Sequence, residues 1–347
     1  MDEKAPSKRA TVHDVARTAG VSLATVDRVL NGRAGVRPKT IEKVEAAIGK
    51  IGFSRDMSAS FLARSRDMAV HFILPAGSNE FMQCLSEAIT EQSVRAAAER
   101  IEVTTRFVPP FDSAALAATL DGLTPESCDC AIVVASDNAS ARRAVDAASA
   151  RGIPVLTLVS DLPDSARRQF IGIDNRAAGR TAAGLMGRFF PDGAKIGLIA
   201  GSLDLRDHIE RYEGFREICR AEFPRLRLIG PEEGFDEPGM TGACVSSLVA
   251  EHPDLAGLYS MGAGNAGLIE ALHVTGRAGQ MRVIAHELTA ATRAALKDGA
   301  IDVVLDQNPA GEIQAALAAA RATIFKTDRT MPDTIIAIGI FLRDNLR

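Results

Sequence analysis

Tryptophan is absent from this chain and tyrosine occurs only twice, so a ring that stacks on a ligand must come from a phenylalanine. The five cysteines, Cys84, Cys128, Cys130, Cys219 and Cys244, form no CxxC pair and leave an odd count. That pattern excludes a disulfide framework or a zinc ribbon and reads as buried reduced thiols. No apolar run approaches the roughly 20 residues that a membrane helix needs. Met1 to Arg9 mix charges with Pro6 where a secretory signal would carry an apolar core, so a cytoplasmic location with no membrane partner is expected. A basic balance is missing as well, the net charge being −4.

That total conceals a division near Met68. Up to there the chain holds 13 Lys and Arg against 8 Asp and Glu, net +5, and the remainder holds 27 against 36, net −9. A basic head on an acidic body suits a polyanion at one end only. The 347 residues allow two or three units with a sizeable core.

Within the head, Thr11 is a good N-cap, and Val12, Val15, Ala16 and Ala19 share one helical face that ends at Gly20. Ser22 caps a second helix over Leu23 to Leu30, with Val26, Val29 and Leu30 inward and Leu23, Ala24, Asp27 and Arg28 outward. Asn31-Gly32 ends it. Pro38 opens a third helix, in which Ile41, Val44, Ile48 and Ile51 repeat every three or four residues up to Gly52. Two helices across an Ala-Gly-Val turn form a helix-turn-helix unit, and the third covers the apolar face. The second helix would enter the major groove with its N-terminus leading. Ser22 and Thr25 then donate to phosphates, while Leu23, Ala24 and Arg28 reach base edges, the arginine by a bidentate bond to guanine.

The runs Thr11-Val12-His13-Asp14-Val15-Ala16, Ala19-Gly20-Val21-Ser22, Thr25-Val26, Arg28-Val29-Leu30-Asn31 and Ile51-Gly52-Phe53 resemble the head of the LacI family of bacterial repressors. Asp27 departs from the serine usual there; a carboxylate would repel phosphate unless it accepts from a cytosine amine or pairs with an arginine. After Phe53, a short helix with Asp56 as its cap is too brief to persist alone and orders only against a twin helix and DNA. The resemblance makes Leu62 a wedge in the minor groove. It implies Thr11, Ser22, Leu23, Ala24, Thr25, Arg28, Asn31 and Leu62 as the DNA-binding residues.

From Met68 onward, short apolar strands alternate with helices: Ala69–Leu74, Val103–Val108, Cys130–Ala135, Val155–Val159, Phe170–Ile173, Lys195–Ala200, Leu226–Ile229, Gly257–Ser260, Val283–His286 and Asp302–Leu305. Such alternation predicts parallel sheets with helices on both faces. Five strands on each side of Asn175 predict two doubly wound α/β lobes whose strand ends face a shared cleft.

Ile153-Pro154-Val155, Ile171-Gly172-Ile173-Asp174-Asn175 with Ala178-Gly179-Arg180, Glu213-Gly214-Phe215 and Asp306-Gln307-Asn308-Pro309 resemble the periplasmic sugar-binding proteins, especially the ribose-binding kind. The resemblance implies three crossings between lobes, near Asp174–Asn175, near Gln307 and near Met331–Asp333. The expected domains are thus 1–56 (head), 57–67 (hinge) and 68–347 (sensor), with an N-lobe of 68–174 and 308–331 and a C-lobe of 175–306 and 333–347. It implies Asn79, Phe81, Ser160, Asp161, Arg206, Asn265, Glu287 and Gln307 as ligand-binding residues, with Met82 where a second aromatic is common. Their carboxylates, amides, guanidinium and ring suit a neutral polyhydroxyl compound.

Gly262, Gly264 and Gly267 spell GxGxxG, and Glu287 follows Gly267 by 20 residues, as in a dinucleotide fingerprint. The run comes late in the fold, however, and its glycines are read as allowing close approach to a ligand. His286-Glu287 begins HExxH, but Ala290 replaces the second histidine, so no metal is expected. His208 and Glu210 read as a polar surface pair. No nucleophile elbow is present, and neither catalysis nor a cofactor is expected. The expectation is a DNA-binding repressor, a homodimer or tetramer, whose operator affinity is set by a small sugar or polyol; a sugar transport receptor and an NAD-dependent oxidoreductase are the alternatives.

Overall fold

The computed structural model describes residues 11–30, 35–51, 66–325 and 333–346, in two units divided between Asp67 and Met68. Asn31, Leu62 and the expected hinge as far as residue 65 lie outside the described residues.

The head holds α1 (Val12–Ala19), α2 (Leu23–Leu30) and α3 (Pro38–Ile51). Thr11 and Asp14 form a reciprocal capping box at the start of α1. The Ser22 hydroxyl accepts from the Thr25 amide at 3.2 Å, which starts α2. Val15, Ala16, Val26, Val44, Ala47 and Ile48 form the common core. Each fully buried valine there contributes roughly 1.5–3 kcal/mol, which fixes α2 against its neighbours.

The body begins with β1 (Met68–Pro75), α4 (Glu80–Ala98), β2 (Ile101–Val108), α5 (Ser113–Asp121), β3 (Cys130–Val133), α6 (Ala139–Ala150), β4 (Val155–Leu158) and β5 (Gln169–Ile173). It continues with α7 (Asn175–Phe189), β6 (Lys195–Ala200), α8 (Arg206–Glu222), β7 (Arg227–Glu233), α9 (Pro238–Glu251), β8 (Leu255–Ser260), α10 (Asn265–Val274), β9 (Arg282–His286), α11 (Ala290–Asp298) and β10 (Val303–Asp306). α12 (Pro309–Phe325), β11 (Ile335–Ile336) and β12 (Gly339–Phe341) complete it.

The first sheet runs β11-β5-β4-β3-β1-β2 and the second β12-β10-β9-β8-β6-β7, so the lobes share one winding order. Every pairing is parallel except β10 with β12. Buried strand segments such as Cys130–Val133 and residues 303–305 read as unbroken apolar runs because helices cover both sheet faces.

The chain leaves the first lobe after Ile173, where Asp174 caps α7, and returns at 307–308, since α12 packs on α4 and on β3 to β5. The last crossing falls later than the expected Met331–Asp333. Ile335 and Ile336 pair with Gly172 and Ile173 of the first sheet, and the chain joins the second only at Gly339. Strands of two and three residues carry no alternation to read, so pairing alone defines them.

Candidate functional site

The C-terminal ends of both sheets meet around a cavity of about 180 Å³. α8 supplies the deepest group. Its Asp207, Arg211 and Phe215 recur every four residues on a buried face, and the α7–α8 crossing sets the depth of that face. A Cβ on Gly179 would stand 2.9 Å from the Phe215 nitrogen, and one on Gly214 would press on the Arg176 carbonyl, so the two backbones come together only as glycines.

Arg211, 1% exposed, is the largest fully buried side chain among the described residues. It donates through Nε to Asn175 Oδ1 at 2.9 Å and through Nη1 to the Met261 carbonyl at 2.6 Å. Its carboxylate neighbours stay just beyond hydrogen-bond reach: Asp207 at 3.9 Å and Glu287 at 4.0 Å. Gln307 donates to Glu287 Oε1 at 2.7 Å. Four buried atoms on the cavity are left without a partner: Asp207 Oδ1, Arg211 Nη2, Glu287 Oε2 and Gln307 Oε1. Orphaned polar groups cost of order 1–3 kcal/mol each, a cost that a hydroxylated ligand would remove.

Burial pushes the Glu287 carboxyl up to about 8, against the opposing pull of Arg211, so near neutrality it can donate as well as accept. Burial also raises Glu312, whose two oxygens lack partners, with Glu287 adding to the shift. The His286 imidazole is held well below its ordinary value by burial, then by Arg211 and His208, and bonds the Tyr259 hydroxyl at 2.9 Å.

Of the expected ligand residues, Asn79, Phe81, Ser160, Glu287 and Gln307 line the cavity, as does Met82. Three others are employed elsewhere. Asp161 accepts from Thr157 at 2.7 Å and from the Leu162 amide at 2.8 Å, and is clamped by Arg167, so it braces its own loop. Arg206 pairs with Glu210 at 2.8 Å. Asn265 is buried at the start of α10, where it accepts from Ser260 at 3.0 Å and donates to the His286 carbonyl at 2.9 Å, joining β8 to β9.

His208 is no surface partner of Glu210: it is buried on the cavity wall, 3.5 Å from Asp207. Arg211 and Asp207 escaped sequence reasoning, although the spacing of Asp207, Arg211 and Phe215 carried the signal. The GxGxxG run has a packing cause. Gly264 takes φ 80, and Cβ atoms on Gly264 and Gly267 would meet Thr241 and the Pro238 carbonyl. Cys84 and Cys244 are half-buried, unlike Cys128, Cys130 and Cys219, and all five are free thiols.

Several contacts join the lobes at the cleft: the Arg206 amide donates to Ser160 Oγ at 3.1 Å and the Asp137 amide to the Asp204 carbonyl at 3.0 Å. Phe111 and Phe235 meet edge to face at 6.1 Å. In the head, Ser22, Leu23, Ala24 and Arg28 form an exposed row on α2, with Thr25 half-buried. The Thr11 hydroxyl donates to Asp14 at 2.7 Å, which holds that carboxyl below its usual range.

A model of the periplasmic binding protein domain matches residues 70–327, and one of bacterial regulatory proteins, lacI family, matches 11–56. The chain belongs to the periplasmic binding protein family and carries a lacI-family head. Among relatives, the D-ribose/D-allose-binding protein of Pseudomonas aeruginosa is 30% identical over 142 residues, 40% of this chain and 43% of that one. Catabolite control protein A of Staphylococcus xylosus is 40% identical over 81 residues, 23% of this chain and 25% of that one. The maltose regulon regulatory protein MalI of Escherichia coli is 39% identical over 87 residues, 25% of each chain. The chain therefore spans less than half the length of these curated relatives. An ABC transporter solute binding protein from Burkholderia graminis, solved with D-arabinose, superposes with a TM-score of 0.74 at 22% identity, covering 81% of this chain and 97% of that one. A glucose-galactose binding protein from Geobacillus stearothermophilus gives 0.71 at 19% identity, with 80% and 99% covered. These likenesses establish the fold.

Proposed function

We propose that this chain is a transcription repressor in which a small sugar or polyol, bound between the lobes of the body, sets the affinity of the head for operator DNA. One observation carries the reading: a lacI-family head and a cleft with four orphaned buried polar atoms occur in the same chain. Hydroxyl groups both donate and accept, which matches a set made of a guanidinium, two carboxyls and an amide. Asp207, His208, Arg211, Glu287 and Gln307 bind the hydroxyls, assisted by the Asn79 amide, with Phe81 as the buried ring.

In the head, Leu23, Ala24 and Arg28 read bases, and Ser22, Thr25 and Asn31 contact phosphates; Thr11 caps α1 beside them, and the linker over 57–67 places Leu62 in the minor groove. The protein works in the cytoplasm as a homodimer on a near-palindromic operator, without membrane, metal or cofactor and without turning its ligand over. No described helix is long and apolar enough to cross a membrane. Coupling is reciprocal: an effector that loosens DNA binds less well to the DNA-bound form.

Footprinting of the chain's own upstream region, followed by calorimetric titration of a sugar panel with and without the protected DNA, tests this. A protected palindrome and unequal sugar affinities in the two series are expected. Sugar binding without any protected DNA would favour a transport receptor. Arg28→Ala should cost about 1–3 kcal/mol of specific binding and relax one operator position, whereas a uniform loss over all sequences would assign Arg28 to phosphate.

A further inference from the structure

The two walls of the cavity differ in chemistry. All four orphaned buried atoms on it belong to the second lobe and its edge: Asp207, Arg211, Glu287 and Gln307. On the first-lobe wall, Pro75, Val108, Pro109, Pro110, Leu116 and Val134 face the cavity. Most of its polar side chains are partly engaged, through one atom. Asn79 Oδ1 and Asp112 Oδ1 cap α4 and α5, Ser113 accepts from Asn138 at 2.7 Å, and Ser160 accepts from Arg206. Ser78 and Ser136 add hydroxyls but no charge.

Above this apolar wall, Phe111 and Phe235 lie one on each lobe and meet across the cleft, although each is more than a third exposed. Both also hold left-handed backbone, φ 60 and 51, as does Asp236 at 56. For a bulky aromatic residue that conformation is rare and costs of order 1–3 kcal/mol. Strain of this kind persists where a side chain must be aimed, and here it aims two rings at the cavity entrance.

Building on the sugar reading, we infer that the effector is an amphipathic glycoside: a hydroxylated ring seated on the second lobe, bearing an alkyl or aryl group against the first-lobe wall and the Phe111–Phe235 pair. A free sugar would satisfy the second lobe yet place hydroxyls against proline, valine and leucine, where desolvation is uncompensated. An apolar substituent removes that mismatch and gains ring contact.

The test is calorimetry on the full chain with D-ribose, D-allose, D-arabinose, D-glucose and D-galactose, each alone and as its n-butyl and phenyl glycoside. At least one glycoside should bind about tenfold or more tighter than its parent sugar, the worth of burying a small apolar group. Phe235→Gly should pull that ratio towards one without lowering the unfolding temperature, because glycine adopts φ 51 without strain; Phe111→Gly is the second variant. A parent sugar that binds as tightly as both of its glycosides overturns the inference and leaves the sugar reading standing. Silence from sugars and glycosides alike overturns both, as does binding of phenol or n-butanol as tight as that of any glycoside.

Discussion

The two lobes share a winding order and open their strand ends onto the same cavity, yet they meet it with opposite chemistry. In the first lobe, polar loop residues are largely used up in holding the fold: Asn79 and Asp112 cap helices, and Asp161 locks to Arg167. In the second, Arg211 and its neighbours are buried with valences unspent. Equal topology therefore does not bring equal roles. What decides is whether a side chain finds its partner locally or points past its own lobe.

Replacing Arg211 should separate the lobes most strongly. Arg211→Ala leaves Asp207 buried without its cation, and Asn175 and the Met261 carbonyl without their donor, so stability should fall by about 3–5 kcal/mol, and effector affinity by a hundredfold or more. Denaturant unfolding and calorimetry would measure both. An unchanged effector affinity would break the contrast.

Glu287 sharpens it through pH. Its carboxyl rises from an ordinary 4.5 to about 8 in the folded chain, so the native state holds a proton that the unfolded state releases. Stability is then fully present below about 4.5 and is lost as pH rises through about 8. The unfolding temperature should fall over that window, and Glu287→Gln should flatten the fall in part, because Glu312 shifts in the same direction.

On the first lobe, Asp161→Ala should cost about 1–3 kcal/mol by orphaning Arg167 and the loop amide. Effector affinity in the folded fraction should stay within about twofold, since Asp161 is not on the cavity. The smallest effect belongs to Arg206→Ala. Its pair with Glu210 is partly exposed, so stability should change by no more than about 0.5 kcal/mol.

Much of the fold was legible because both lobes repeat apolar strands at regular intervals; the ten strands read from Ala69 to Leu305 all occur, with ends shifted by a few residues. β11 and β12 were not, because so few residues hold no period and depend on partners far away in the chain. The cleft lining was legible where a strand-end loop residue keeps an oxygen unpaired, as at Glu287 Oε2 and Gln307 Oε1, although the two side chains also bond each other. It was misread where such a residue finds a neighbour: Asp161 takes Arg167, Arg206 takes Glu210, and Asn265 takes Ser260 and a carbonyl of the next strand. Arg211 was missed because it lies inside a helix, where charge is ordinarily solvated.

The late final crossing has a mechanical consequence. Ile336 is stitched into one sheet and Gly339 into the other, with two residues between them. Such a tether reaches roughly 10 Å when taut. The lobes can swing about it like a door on a short leather strap but cannot drift apart, so opening converts into rotation about a nearly fixed axis. A single proteolytic cut at residues 337–338 would remove one of three short straps, leaving the crossings at 173–175 and 306–309 to hold the lobes together.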